Sequence, residues 1–283
     1  MRARRQTFGH RAVPLAFVPA VTAVFWIIKV LATTVGETAA DFLNTKLGFG
    51  LNGTSLVMGA LFLVALAVQL TRRRCIPAIY WLVVVLVSVV GTLITDNLTD
   101  NLHISLTTTT IAFSIALAIV FATWWLRERT LAVHDIETTP RELYYWAAIL
   151  FTFALGTASG DLLAEKSQLG YALSALIFAS AIALTAAAYY VFKINGVLAF
   201  WIAYVLTRPL GASVGDLLSQ AKADGGIGFG TTVTSVVFLT VILALVIREQ
   251  RAAPQANLAG GGGESAKRYF PSLAENENGG SPS

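Results

Sequence analysis

The chain has 283 residues, 55% of them hydrophobic and only 13% charged, with a formal net charge of +4 and a mean hydropathy of +0.68. That balance excludes an ordinary soluble domain. The positive charge sits in short connecting segments, which reads as membrane topology rather than a nucleic-acid surface, and the single cysteine, Cys75, excludes an internal disulfide.

Residues 1–15 are read as a cytoplasmic N-terminal segment, in which Arg2, Arg4 and Arg5 precede an apolar stretch, an arrangement that superficially resembles a signal peptide. The apolar stretch continues, however, into a segment that returns three more times, so it is read as the first membrane span. That segment is FWIIKVLATTVGETAADFLN from Phe25, YWLVVVLVSVVGTLITDNLT from Tyr80, YWAAILFTFALGTASGDLLA from Tyr145 and FWIAYVLTRPLGASVGDLLS from Phe200. The four align without a gap, placing Gly36, Gly91, Gly156 and Gly211 in register, then Asp41, Asp96, Asp161 and Asp216. Internal self-similarity of this kind is the signature of a repeat architecture.

A second apolar run without charge follows each of these segments: Thr54 to Leu70, Thr107 to Trp125, Ala172 to Tyr190 and Thr231 to Ile247. Each is long enough to cross a hydrocarbon core as a helix at about 1.5 Å per residue. No barrel-strand alternation is present, and helices satisfy their backbone groups internally in lipid. The chain is therefore read as an all-α integral membrane protein. Its eight transmembrane helices form four parallel two-helix repeats (about 16–71, 76–126, 141–191 and 196–248) arranged around a pseudo-fourfold axis. Residues 16–250 make up this domain, and 251–283, which include a glycine-rich stretch, are expected to be a disordered cytoplasmic tail. Lys and Arg concentrate on the side of the N-terminus (Arg11, Arg73, Arg129, Arg141, Lys193, Arg248), whereas the other side has Lys46, Lys166 and Lys222. The positive-inside rule then puts both termini in the cytoplasm.

Ionisable groups within spans are costly, about 2.5–3.5 kcal/mol each on insertion scales, so a repeated one calls for a function. Steps of four residues from each aspartate follow one helix face. They read Thr33, Glu37, Asp41, Thr45; Ser88, Thr92, Asp96, Asp100; Phe153, Thr157, Asp161, Glu165; and Arg208, Ala212, Asp216, Gln220. These stripes are expected to face one another and gather carboxylates in the outer half of the membrane. Glu37, Asp41, Asp96, Asp161 and Asp216 are the candidate metal ligands, with Thr92, Asp100, Thr157, Glu165 and Ser213 in support. Lys29 and Arg208, the basic residues deep in spans, are expected to neutralise part of the cluster. Glu37, a turn deeper than the aspartates, is the candidate proton carrier. The glycines are expected to let helices approach or unwind near the acids, and Pro209 to kink the fourth unit. An all-oxygen donor set suits Mg, Ca or Mn rather than zinc or copper. The histidines, His10, His103 and His134, fall outside the spans.

The segments VGETAADFLNTKLG, GTLITDNLTDNL, GTASGDLLAEKSQLGY and RPLGASVGDLLSQ resemble a bacterial family of membrane proteins built of a repeat of unknown function, the uncharacterised membrane-anchored proteins. The resemblance covers about residues 16–250 and implies the architecture but no activity. From the residues, the expectation is a transporter of an inorganic divalent cation such as manganese, coupled to protons, with the lipid bilayer as its solvent and no bound cofactor or nucleic acid. The alternative is a membrane scaffold or sensor whose buried acids lock helix packing. No nucleophile elbow, phosphate loop or zinc-protease signature supports an enzyme.

Overall fold

The computed structural model describes residues 17–46, 48–72 and 75–259, and the side chains of Thr45, Glu165 and 252–259 lie outside that description. Among the described residues eight α-helices follow in order: α1 (Ala23–Asp41), α2 (Gly50–Leu70), α3 (Pro77–Asp96), α4 (Leu106–Glu128), α5 (Thr139–Asp161), α6 (Gly170–Phe192), α7 (Gly196–Ser219) and α8 (Thr231–Ala259). Their starts follow local chemistry. Thr22 caps α1 and Ser105 caps α4, while Asn195 accepts from the backbone N–H groups of Val197 and Leu198 at the start of α7. Pro77 and Pro140 occupy the first turns of α3 and α5, where a missing N–H costs nothing.

All eight are long and apolar enough to cross a membrane, which makes the chain a multi-pass membrane protein. Burial sorts them into two sets: 61, 61, 56 and 50% of the apolar windows of α1, α3, α5 and α7 is buried, against 11, 17, 6 and 22% for α2, α4, α6 and α8. The four aspartate-bearing helices are thus the inner ones, and they contact in a closed circuit of α1 with α3, α3 with α5, α5 with α7, and α7 with α1. The outer helices carry lipid-facing side chains such as Leu56, Leu184 and Val64.

Each outer helix packs on the inner helix of the following repeat: α2 on α3, α4 on α5, α6 on α7, and α8 back on α1. The sequence repeat and the packed helix pair are therefore different units.

Two side-chain circuits knit the inner helices. In the first, the leading aromatic of each repeat packs on the tryptophan of the next. The ring centroids are 5.2 Å apart for Phe25 and Trp81, 5.6 Å for Tyr80 and Trp146, 6.1 Å for Tyr145 and Trp201, and 5.6 Å for Phe200 and Trp26. This girdle closes one end of the bundle, where the Tyr80 and Tyr145 hydroxyls also meet at 2.5 Å. In the second, each repeat glycine accepts a neighbouring side chain: Gly36 meets Ser88, Gly91 meets Phe153, Gly156 meets Arg208 and Gly211 meets Thr33. A Cβ added to any of the four would stand 2.5 Å from the Cβ of that partner, so only glycine admits this approach.

Three expectations change. The glycines stay helical, and the helix loosens only after the aspartate, where π turns follow Asp41, Asp96 and Asp161 (Phe42–Lys46, Asn97–Asn101, Leu162–Lys166). The wider turn shows in N–H groups that reach five residues back, Leu102 to Asn97 O and Ser167 to Leu162 O, both at 3.1 Å. The fourth repeat instead ends at Ser219, and its loop folds back so that Ile227 and Phe229 donate to the Leu217 and Leu218 carbonyls. The α7 helix runs unbroken through Pro209, inside close contacts with α1 and α5. Finally, α8 continues to Ala259 rather than ending near 250: Arg248 to Ala253, which follow the apolar run, are good helix formers, whereas its last turns pass through Pro254, which helix propensity does not explain. Residues 1–15 and the tail from 260 lie outside the described residues.

Candidate functional site

Successive residues of the inner-helix stripes stand one turn apart, so the four repeats form levels. The level of Thr33, Ser88, Phe153 and Arg208 is buried throughout. Gly156 makes room for the Arg208 stem, and the guanidinium extends toward the next level, where Glu37, Thr92 and Thr157 stand. There Nη2 donates to Glu37 Oε2 at 2.9 Å, to Thr157 Oγ1 at 2.7 Å and to Thr92 Oγ1. Nη1 reaches the Thr33 carbonyl at 3.5 Å. Two Nη2 protons serve three acceptors, so one bond is shared. The Thr92 hydroxyl in turn donates to Glu37 Oε2 at 3.4 Å.

One guanidinium therefore binds side chains from all the other repeats: Glu37 of the first, Thr92 of the second and Thr157 of the third. The Glu37–Arg208 pair is almost wholly out of solvent, with side-chain exposures of 8% and 0%. A pair in that setting is strong in geometry but expensive in desolvation, and the extra hydroxyl bonds offset part of the cost.

The aspartates lie one turn beyond Glu37. Asp216 is buried, whereas Asp41, Asp96 and Asp161 are partly exposed. Gln220, the residue that follows α7, donates to Asp41 of α1 at 3.4 Å, and Asp96 lies within electrostatic reach of Glu37, Asp41, Asp100 and Arg208. Asp100 is exposed on its π turn and accepts from Thr99 at 3.0 Å, while Ser213 is buried on α7. Glu165 belongs to the π turn Leu162–Lys166, and its side chain is outside the described set. The structure thus brings Glu37, Arg208, Thr92 and Thr157 into direct contact and arranges the aspartates around them. Among the described residues no three His, Cys, Asp or Glu side chains converge in a geometry that holds a metal ion.

Lys29 occupies the level nearer the aromatic girdle and does not touch the carboxylates. Its Nζ lies 4.1 Å from the Phe153 ring centroid and 4.3 Å from that of Tyr204, a cation against two aromatic faces. Sequence reading places Phe153 on the stripe without giving it a role, and it passes over Tyr204. The available signal was position, since Phe153 stands eight residues before Asp161 and Tyr204 four before Arg208, both on the polar stripe.

A separate polar set lies near the girdle. Gln69 of α2 donates to Glu142 of α5 at 2.9 Å, Trp146 donates to the same carboxylate at 3.4 Å, and Trp81 donates to Glu249 of α8 at 3.0 Å. Cys75, in the connection between α2 and α3, is pushed up to about 12 by burial and, secondarily, by the Glu249 and Glu142 carboxylates, so it is a protonated, unreactive thiol.

Four stretches of the chain, 24–74, 79–130, 144–195 and 199–252, match in succession the family described as Repeat of Unknown Function (DUF347). No functionally curated protein and no solved structure matches the chain.

Proposed function

The chain belongs to the DUF347 repeat family and has four of its repeats, and from that premise we propose that it is a proton-coupled transporter of a small inorganic cation, a divalent metal such as manganese. The observation that carries this reading is the single guanidinium gripped by the other three repeats one turn behind the aspartates. Four carboxylates at one level concentrate negative charge and attract a cation from solution. Behind them Glu37, with the Thr92 and Thr157 hydroxyls, offers hard oxygen ligands of the kind that manganese, magnesium or calcium prefer. Arg208 already holds those three groups, so the arriving ion competes with a tethered cation of the protein. The gate opens by exchange: the ion takes Glu37, and Arg208 releases it. Pro209 removes one backbone hydrogen bond beside Arg208 and gives that stretch of α7 local freedom to move.

In this reading the four repeats enter the membrane in the same sense around a pseudo-fourfold axis, as the glycine circuit with its constant 2.5 Å spacing suggests. Both termini face the cytoplasm of a bacterium, across its inner membrane, and the aspartates open on the opposite side. No enzymatic step is proposed.

The test is uptake of Mn²⁺ into proteoliposomes under an imposed pH gradient. Wild-type protein is expected to accumulate the metal, and Glu37→Gln or the pair Asp96→Asn and Asp161→Asn to abolish uptake. Unchanged flux in those variants ends the transport reading. A second reading, a membrane scaffold or sensor, draws on the same bonds, because a guanidinium shared by four repeats is also a lock on helix packing. The scaffold keeps its function in the Asp→Asn variants, since Asn retains hydrogen-bonding capacity.

A further inference from the structure

Charge on the bundle axis is uneven. Lys29 and Arg208 are both fully buried, and Glu37 is the carboxylate bonded to Arg208. Lys29 Nζ has no hydrogen-bond partner among the described residues. The two cations flank one ring: Lys29 Nζ is 4.1 Å and Arg208 Cζ 5.6 Å from the Phe153 centroid. Eight residues of helix, about 12 Å, separate Lys29 from Glu37 along α1, so the lysine cannot take the carboxylate for itself. An arginine keeps its proton in proteins, whereas a buried lysine changes charge readily. The other titratable groups on the packed elements are Tyr80 of α3, Tyr145 of α5, Tyr204 of α7 and Glu37 of α1, with Glu249 of α8 engaged by Trp81. Glu37 and Arg208 set the local charge.

We propose that Lys29 is the proton-exchanging residue of the cation site. It is driven by the Glu37–Arg208 pair and held against Phe153 and Tyr204, where an amine needs no acceptor. When an inorganic cation takes Glu37, the guanidinium loses its counter-charge and the positive potential around Phe153 rises. Lys29 then releases a proton, R–NH₃⁺ becoming R–NH₂ plus H⁺, and takes it back when the cation leaves and Arg208 recovers Glu37. The coupling is one proton out for each cation bound. This assignment rests on the cation-transport reading and moves the exchanged proton from Glu37 to Lys29.

The experiment uses the purified full-length chain in detergent, with Mn²⁺ as the probe, calorimetry for affinity and a pH-indicator dye in weak buffer for protons. Wild-type protein is expected to release one proton per Mn²⁺ bound, with its Kd falling tenfold for each unit rise in pH. Lys29→Met and Lys29→Gln are expected to bind Mn²⁺ with no proton release and no pH slope. Lys29→Arg keeps the charge on the axis and serves if the neutral variants do not fold; it is expected to bind Mn²⁺ more weakly and to release no proton. Proton release and pH slope equal to wild type in these variants overturns the Lys29 assignment and leaves transport standing. Failure of the wild type to bind Mn²⁺, and likewise Mg²⁺ and Ca²⁺, overturns both.

Discussion

Replacing Arg208 by methionine tests the central pair most directly, because the substitution keeps the volume of the stem and removes the charge. In the native arrangement Arg208 Nη2 bonds Glu37 at 2.9 Å and Thr157 at 2.7 Å, and the two ion-pair side chains are 0% and 8% exposed. Arg208→Met leaves the Glu37 carboxylate with only the 3.4 Å Thr92 hydroxyl bond, so a buried charge stands uncompensated. Breaking a buried pair from one side costs about 3–5 kcal/mol. Glu37→Gln falls at the lower end of that range, since the amide oxygen still accepts from the guanidinium. The double variant buries neither charge and is expected to be within about 1 kcal/mol of wild type, which makes the two sites coupled by about 5 kcal/mol or more. The assay is unfolding of the purified protein in mixed micelles by titration with SDS, followed by tryptophan fluorescence, for all four corners of the cycle. A fully stable Arg208→Met variant, or single costs that simply add in the double variant, refutes the structural role assigned to the pair.

Gly211→Ala is expected to destabilise by about 1–3 kcal/mol through overpacking against Thr33, outweighing the gain of about 1 kcal/mol that alanine has over glycine in a helix. Gly160→Ala, where a new Cβ meets Ala212 at an ordinary 3.5 Å, is expected to be neutral or stabilising in the same unfolding assay. Cys75, with its thiol held near 12, is expected to react with maleimide at pH 8 on the order of a thousandfold more slowly than free cysteine, and tenfold faster for each pH unit raised; stopped-flow labelling of the folded protein measures this. Thr38→Val removes the 2.7 Å hydroxyl contact with Ser235 that ties α1 to α8, and is expected to cost about 1 kcal/mol.

The four-residue stripe was legible because helix geometry repeats: Thr33, Glu37 and Asp41 share a face whatever surrounds them, and the glycine register followed from alignment alone. Pairing across repeats was not legible in the same way. Arg208 stands a level below Glu37 in the alignment, and its long side chain crosses to the next level only because Gly156 on a neighbouring helix leaves room for the stem. The opposite fate of Lys29 has the same origin. Its chain is as long, but the neighbours within its reach are the Phe153 and Tyr204 rings, which a search for carboxylate partners overlooks. The π turns after three of the aspartates depend on backbone packing rather than on any residue pattern, and the hand-over of each outer helix to the following repeat is a tertiary choice that two adjacent hydrophobic runs do not encode.

That hand-over fixes an order of events during synthesis. The first inner helix enters the bilayer carrying Glu37, yet the arginine that neutralises it stands 171 residues later in the chain, and the helix that covers its outward side, α8, is made later still. Without α7 and α8 the circuit of inner helices is open between α5 and α1, and Glu37 has no guanidinium to bond. Joining α7 to α1 is what closes the inner circuit, so a chain truncated before Arg208 keeps Glu37 but lacks the guanidinium that pairs with it.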